Sequence, residues 1–134
     1  MLKKHPKLKF IGHSQPFWAE LSADITEEFR NRYPKGKVTE GRIAELLRKY
    51  DNLYCDLSAG SGANSMMRDP EYAEKFLNEF ADRIFFGCDI CDAKAAFPFK
   101  FSDFLEQMRA DGRLKEENYR KICRENAERV LGLK

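Results

Sequence analysis

Arg83-Ile84-Phe85-Phe86-Gly87-Cys88-Asp89 is a mostly apolar run that ends in a carboxylate. Two similar runs precede it: Leu8-Lys9-Phe10-Ile11-Gly12-His13, ending in an imidazole, and Leu53-Tyr54-Cys55-Asp56-Leu57-Ser58. Short apolar runs of this kind, bounded by turn residues, read as buried strands. Helix-patterned stretches separate them, so successive strands are expected to pair in parallel through right-handed crossovers. The expected sheet has the order 8–13, 53–58, 84–89. In α/β folds, sites form where strands end and loops begin. His13 and Asp89 are therefore the candidate site residues. Two strand spacings put their Cα atoms roughly 10 Å apart, with both side chains on the face away from the helices and Cys88 on the helix side.

The intervening segments read as follows. Pro16 opens a short helix over about Phe17 to Leu21, and a second stretch runs from about Thr26 to Arg32. Residues 39–50 form a helix with Thr39 as N-cap, because Ile43, Leu46, Leu47 and Tyr50 recur at helical spacing. Gly60-Ser61-Gly62-Ala63-Asn64-Ser65 reads as a small polar loop, lacking the lysine of a phosphate-binding loop. Asp69-Pro70 starts a helix whose apolar face is Tyr72, Ala73, Phe76, Leu77 and Phe80. A loop from about Ile90 to Lys100 leads to a helix capped by Ser102, faced by Phe101, Phe104, Leu105 and Met108, and ended by Asp111-Gly112. The last helix, from about Lys115 to Leu131, carries Tyr119, Ile122, Cys123, Ala127, Val130 and Leu131 on one side. Asn126 falls on that side and calls for an internal hydrogen bond.

The fold class is thus α/β: three parallel strands with helices on one face. The other face, including Ile11 and Phe85, is expected to be bare, and three strands cannot close a barrel. A (β/α)₈ barrel takes about 250 residues. A chain of 134 residues, one domain over 1–134, is expected to be a portion of such a barrel or to cover its face by self-association. Its 43% hydrophobic and 13% aromatic content is that of a globular chain. With 24 basic and 22 acidic residues, the net charge of +2 gives no footing for nucleic-acid or membrane binding. The basic start, Lys3, Lys4, Lys7 and Lys9, reads as a solvated terminus. Without a signal peptide or membrane span, the four cysteines (55, 88, 91 and 123) read as reduced thiols in the cytoplasm.

Four motifs in order give a resemblance. Phe10-Ile11-Gly12-His13 is similar to the sixth strand of the amidohydrolase-related family, which ends in His. Asn52-Leu53-Tyr54-Cys55-Asp56-Leu57-Ser58 resembles its seventh strand, and Arg83 to Asp89 its eighth. Glu125 to Leu133 resembles its closing helix. The chain therefore looks like the C-terminal half of a metal-dependent (β/α)₈ hydrolase or decarboxylase acting on a small carboxylate or ring substrate. The resemblance implies that Asp89 binds a divalent metal, zinc above all, and takes a proton from the attacking water. It implies that His13 activates water or polarises the substrate. Cys88 stands where the family has Ser or Thr, and Ile90-Cys91 where Tyr-Pro is common. The family's first-strand His-x-His and fifth-strand His have no counterpart, since the only other histidine is His5. Zinc catalysis uses about three protein ligands, so the chain is expected to bind metal weakly and to be inactive alone.

Two other classes stay open. A non-catalytic module would use the bare sheet face to bind a second copy or a complementing barrel half. A thiol redox protein would use Cys88-x-x-Cys91, although Asp92-Ala93-Lys94 does not begin the helix that such pairs open. Asp56 sits within a strand and is expected to pair with a Lys, an Arg or backbone donors.

Overall fold

Phe10–Gly12 (β1), Leu53–Asp56 (β2) and Ile84–Phe85 (β3) pair in parallel in the order β1-β2-β3 in the computed structural model, which describes residues 1–92, 94 and 97–133. The three-stranded, unclosed sheet is the one the apolar runs predict. Its strands are shorter, however, and His13, Ser58 and Asp89 all lie in the loops that follow them. Register sets the faces. Phe10 pairs with Leu53, Ile11 with Tyr54, Cys55 with Ile84 and Asp56 with Phe85. Because successive residues alternate, Phe10, Leu53, Cys55 and Ile84 share one face, and Ile11, Tyr54, Asp56 and Phe85 share the other.

The first face carries the main core. Gln15–Ala19 (α1), Arg42–Lys49 (α2), Ala59–Met67 (α3), Pro70–Glu79 (α4) and Phe97–Ala110 (α5) supply Trp18, Ile43, Leu47, Met66, Phe76, Leu77, Phe101 and Leu105 to it. Asp69 caps α4 through Tyr72 N and Pro70 opens it, as the cap-then-proline pattern predicts.

The second face is less bare than expected. The last helical stretch runs through Glu116–Arg120 (α6), a π-helical turn at Lys121–Glu125, and Asn126–Leu131 (α7). Ile122 belongs to the main core, whereas Val130 and Ala127 pack on Tyr54 and Phe85. Both aromatics are only 8% exposed, and their rings stack with centroids 5.6 Å apart. Asn126 makes this placement specific. Its buried amide donates to Ala81 O at 2.6 Å and Ile84 O at 2.8 Å, tying the helix to the start of β3. Ile11, at 46%, stays exposed.

Four expectations need correction. The Gly60 to Ser65 stretch is not a loop but most of α3. Its small residues let the helix press against the chain before it: a Cβ on Gly62 would lie 2.2 Å from Leu57 O. Tertiary packing here overrides the poor helix propensity of Gly and Ser. The stretch at 26–32 holds only a 3₁₀ turn, Glu27–Phe29, with no buried residue; a short helix without a packed face is not stable. Thr39 does not cap α2. Its N–H donates to Ser22 Oγ and its carbonyl accepts from Ala23 N, and Gly41 is the N-cap. Ser102 lies inside α5, which begins at Phe97 and shortens the loop expected over 90–100. Ala93, Ala95 and Ala96 of that loop lie outside the described residues.

Gly62→Ala should lower stability by about 2–3 kcal/mol in urea denaturation, although Ala is the better helix former, because the clash is with backbone. A second expectation concerns acid. Asp69 is 4% exposed. Burial alone would push its carboxyl up, but hydrogen bonds from Val38 N and Tyr72 N, with the Lys37 ammonium, hold it below the usual carboxylate range. Its contribution is therefore full above the ordinary carboxylate value of about 4 and fades as pH falls through the lower folded value. In urea midpoints measured from pH 6 downward, Asp69→Asn should start less stable and lose less over that acid range than the wild type.

Candidate functional site

The three strand ends converge on four side chains. His13 follows β1 directly. A side chain on Gly12 before it would displace the Phe17 ring, which lies 2.1 Å from where a Cβ would stand. Asp56 ends β2 on the second face of the sheet, with its carbonyl accepting from Trp18 Nε1 at 3.0 Å. Asp56 Oδ2 lies 3.0 Å from His13 Nδ1 and accepts from Ser58 Oγ at 2.6 Å, and Oδ1 accepts from Ser58 N at 2.8 Å. Ser58 Oγ is itself 3.3 Å from His13 Nδ1. On the other side of the ring, His13 Nε2 is 3.9 Å from Asp89 Oδ2. The His13 and Asp89 side chains are 42% and 44% exposed, so the pair faces solvent at the sheet edge. Within reach of solvent, an imidazole nitrogen opposite a carboxylate can exchange a proton with a bound water or substrate.

Backbone geometry marks the same place. Among the described residues, the non-glycine residues with positive φ are Ser14 at 84°, Ala59 at 62° and Asp89 at 49°. Each follows closely on the end of one of the three strands, Ser14 and Asp89 in the loops and Ala59 as the first residue of α3. Such conformations cost about 1–3 kcal/mol each and cluster at functional sites.

His13 and Asp89, the two candidates read from the sequence, are therefore brought together. Asp56 has the backbone donor that was expected, Ser58 N, but its other partners are an imidazole and a hydroxyl rather than a Lys or Arg. Ser58 was not singled out at all. The signal for both was the strand period, because Asp56 lies two residues from Tyr54 and so shares the inner face. Cys88 was expected on the helix side but is exposed, because β3 ends at Phe85 and alternation does not reach it. Cys88 and Cys91 are free thiols, and Cys91 Sγ lies 3.7 Å from Asp89 O and Oδ1. Among the described residues neither cysteine stands at a helix start, where a thioredoxin-type pair sits. Burial pushes the Cys55 and Cys123 thiols up, away from the thiolate form. Among the described residues there is no group of three or more His, Cys, Asp or Glu placed to hold a metal ion, and no helix is long and apolar enough to cross a membrane.

A protein-family model described as Amidohydrolase matches residues 1–133. The match takes in all four side chains of the site. Comparison with curated proteins finds no match, and comparison with solved structures finds none.

The strained loop makes one further expectation. Ala59→Gly should raise stability by roughly 0.5–1 kcal/mol, because relief of the left-handed conformation outweighs the added freedom of the unfolded chain. Thermal denaturation of the two proteins side by side measures it; an Ala59→Gly protein of lower stability would show that the methyl group packs usefully.

Proposed function

Because the chain belongs to the amidohydrolase family over residues 1–133, we propose that it carries the last three strands of a metal-dependent (β/α)₈ hydrolase or decarboxylase. The substrate class is a small carboxylate or ring compound. What carries the reading is the approach of His13 Nε2 to Asp89 Oδ2, 3.9 Å, at the edge where all three strands end. In this reading His13 is the base or electrophile that takes a proton from water or polarises the substrate, and Asp89 is the proton acceptor and metal carboxylate.

The fit to a metal is partial. An imidazole nitrogen and a carboxylate oxygen are donors that zinc accepts, but two donors fall short of the three that a catalytic zinc site uses. No step is therefore assigned to a metal held by these residues alone. The missing donors would come from a complementing barrel half, on a second copy or another chain. Among the described residues the outer edge of β1 is unpaired, and that edge and the exposed Ile11 support such an association. The four free cysteines are in keeping with a reducing, cytoplasmic setting.

Zinc titration calorimetry tests the pairing. The chain should bind zinc weakly and show no metal-dependent hydrolase activity alone, and His13→Ala or Asp89→Ala should each weaken the zinc binding about tenfold or more. Tight stoichiometric zinc that survives both substitutions would place the metal elsewhere and remove the reading. Sedimentation over a range of concentrations checks the partner: association should be visible and weakened by Ile11→Asp, and a monomer at high concentration would rule out completion by a second copy.

A further inference from the structure

We propose that Asp56 is a positioning residue that sets the tautomer of His13, keeping the imidazole proton on Nδ1 and leaving Nε2 as a bare acceptor beside Asp89. The inference rests on the reading of His13 as the base of the site, but its evidence is a count of donors and acceptors.

Ser58 has one hydroxyl hydrogen, and it goes to Asp56 Oδ2 at 2.6 Å. Toward His13 the Ser58 oxygen, at 3.3 Å, therefore offers only lone pairs. The ionised Asp56 carboxylate, at 3.0 Å, offers only lone pairs as well. Both neighbours of Nδ1 are acceptors, so Nδ1 carries hydrogen; a bare Nδ1 would set lone pair against lone pair. Asp56 cannot turn away, because its Oδ1 accepts from Ser58 N at 2.8 Å and its carbonyl is held by Trp18 Nε1. In the neutral ring, Nε2 is then unprotonated and lies 3.9 Å from another acceptor, Asp89 Oδ2. That gap is too long for a direct hydrogen bond. A single donor standing beside the pair, about 2.8 Å from each, can bridge both acceptors, which is where a water to be deprotonated belongs.

The same count makes Asp56→Asn a switch. Ser58 N still requires an acceptor at Oδ1, so the amide nitrogen takes the place of Oδ2 and points hydrogens at Nδ1. The ring proton must then move to Nε2, with no change in side-chain volume. An Asp-to-Asn change that imposes the wrong histidine tautomer is known in serine-protease triads.

The test is nitrogen NMR of the full chain labelled in its imidazoles, recorded above the histidine titration range. His5→Gln removes the only other histidine signal. The wild-type ring should show a pyrrole-type Nδ1 and a pyridine-type Nε2, the reverse of the form that free histidine prefers. Asp56→Asn should exchange the two. A pyridine-type Nδ1 in the wild type overturns the proposal by itself, even if the variant does not fold, and an unchanged pattern in folded Asp56→Asn overturns it too. The spectrum needs no turnover, so it separates the two ideas. The expected tautomers in a His13→Ala-insensitive reconstituted enzyme would support the proposal while removing His13 as base.

Discussion

Alternation along β2 is the constraint on which the rest of the molecule depends. Leu53 and Cys55 enter the helix-side core, so Tyr54 and Asp56 must enter the opposite face. The central strand of a parallel sheet has no third option. A carboxylate at the end of such a face has to be compensated. Ser58, two residues on, turns back over it with its N–H and hydroxyl, and the end of β1 brings His13 against it. Satisfying Asp56 and aiming the imidazole are thus one event. The helix layer contributes from behind: Trp18 reaches the Asp56 carbonyl, and Phe17 occupies the space that Gly12 leaves open.

The second face shows how a sheet too small to close still covers most of its apolar surface. Stacked Tyr54 and Phe85 meet Val130 and Ala127 from the last helix. That helix leaves the main core at Ile122 and crosses to the other face after a π-helical turn, a feature that changes helical phase and recurs at functional positions. The bonds from buried Asn126 to Ala81 O and Ile84 O give the crossing a single register, because leaving either carbonyl without its donor would cost about 1–3 kcal/mol. Among the described residues, what stays exposed on this face is Ile11, beside the unpaired edge of β1.

Local rules were enough wherever a pattern was long or chemically specific. Asp69-Pro70 started α4 because a capping carboxylate and a missing N–H belong at those positions. Asn126, polar on an apolar side, had to find an internal acceptor, and it did. They failed where packing decided. Gly60 to Ser65 looks like a turn by composition, yet it is helical because its small side chains fit against Leu57. Thr39 looks like a cap, yet its backbone is spent on Ser22 and Ala23. Residues 26–32 have adequate helical pattern but no partner to bury it against.

By itself the sequence determined the parallel three-strand order, the family, and that an imidazole and a carboxylate end two of the strands. These follow from period, turn chemistry and motif order, which are local in the chain. Only the tertiary structure decided that Asp56 and Ser58 join His13, that Asp89 stands opposite the other ring nitrogen, and that the last helix covers the inner aromatics. Those are meetings between residues 42 positions or more apart in the chain. Strand register and a single buried amide settle them, and neither is visible to a rule that reads neighbours along the chain.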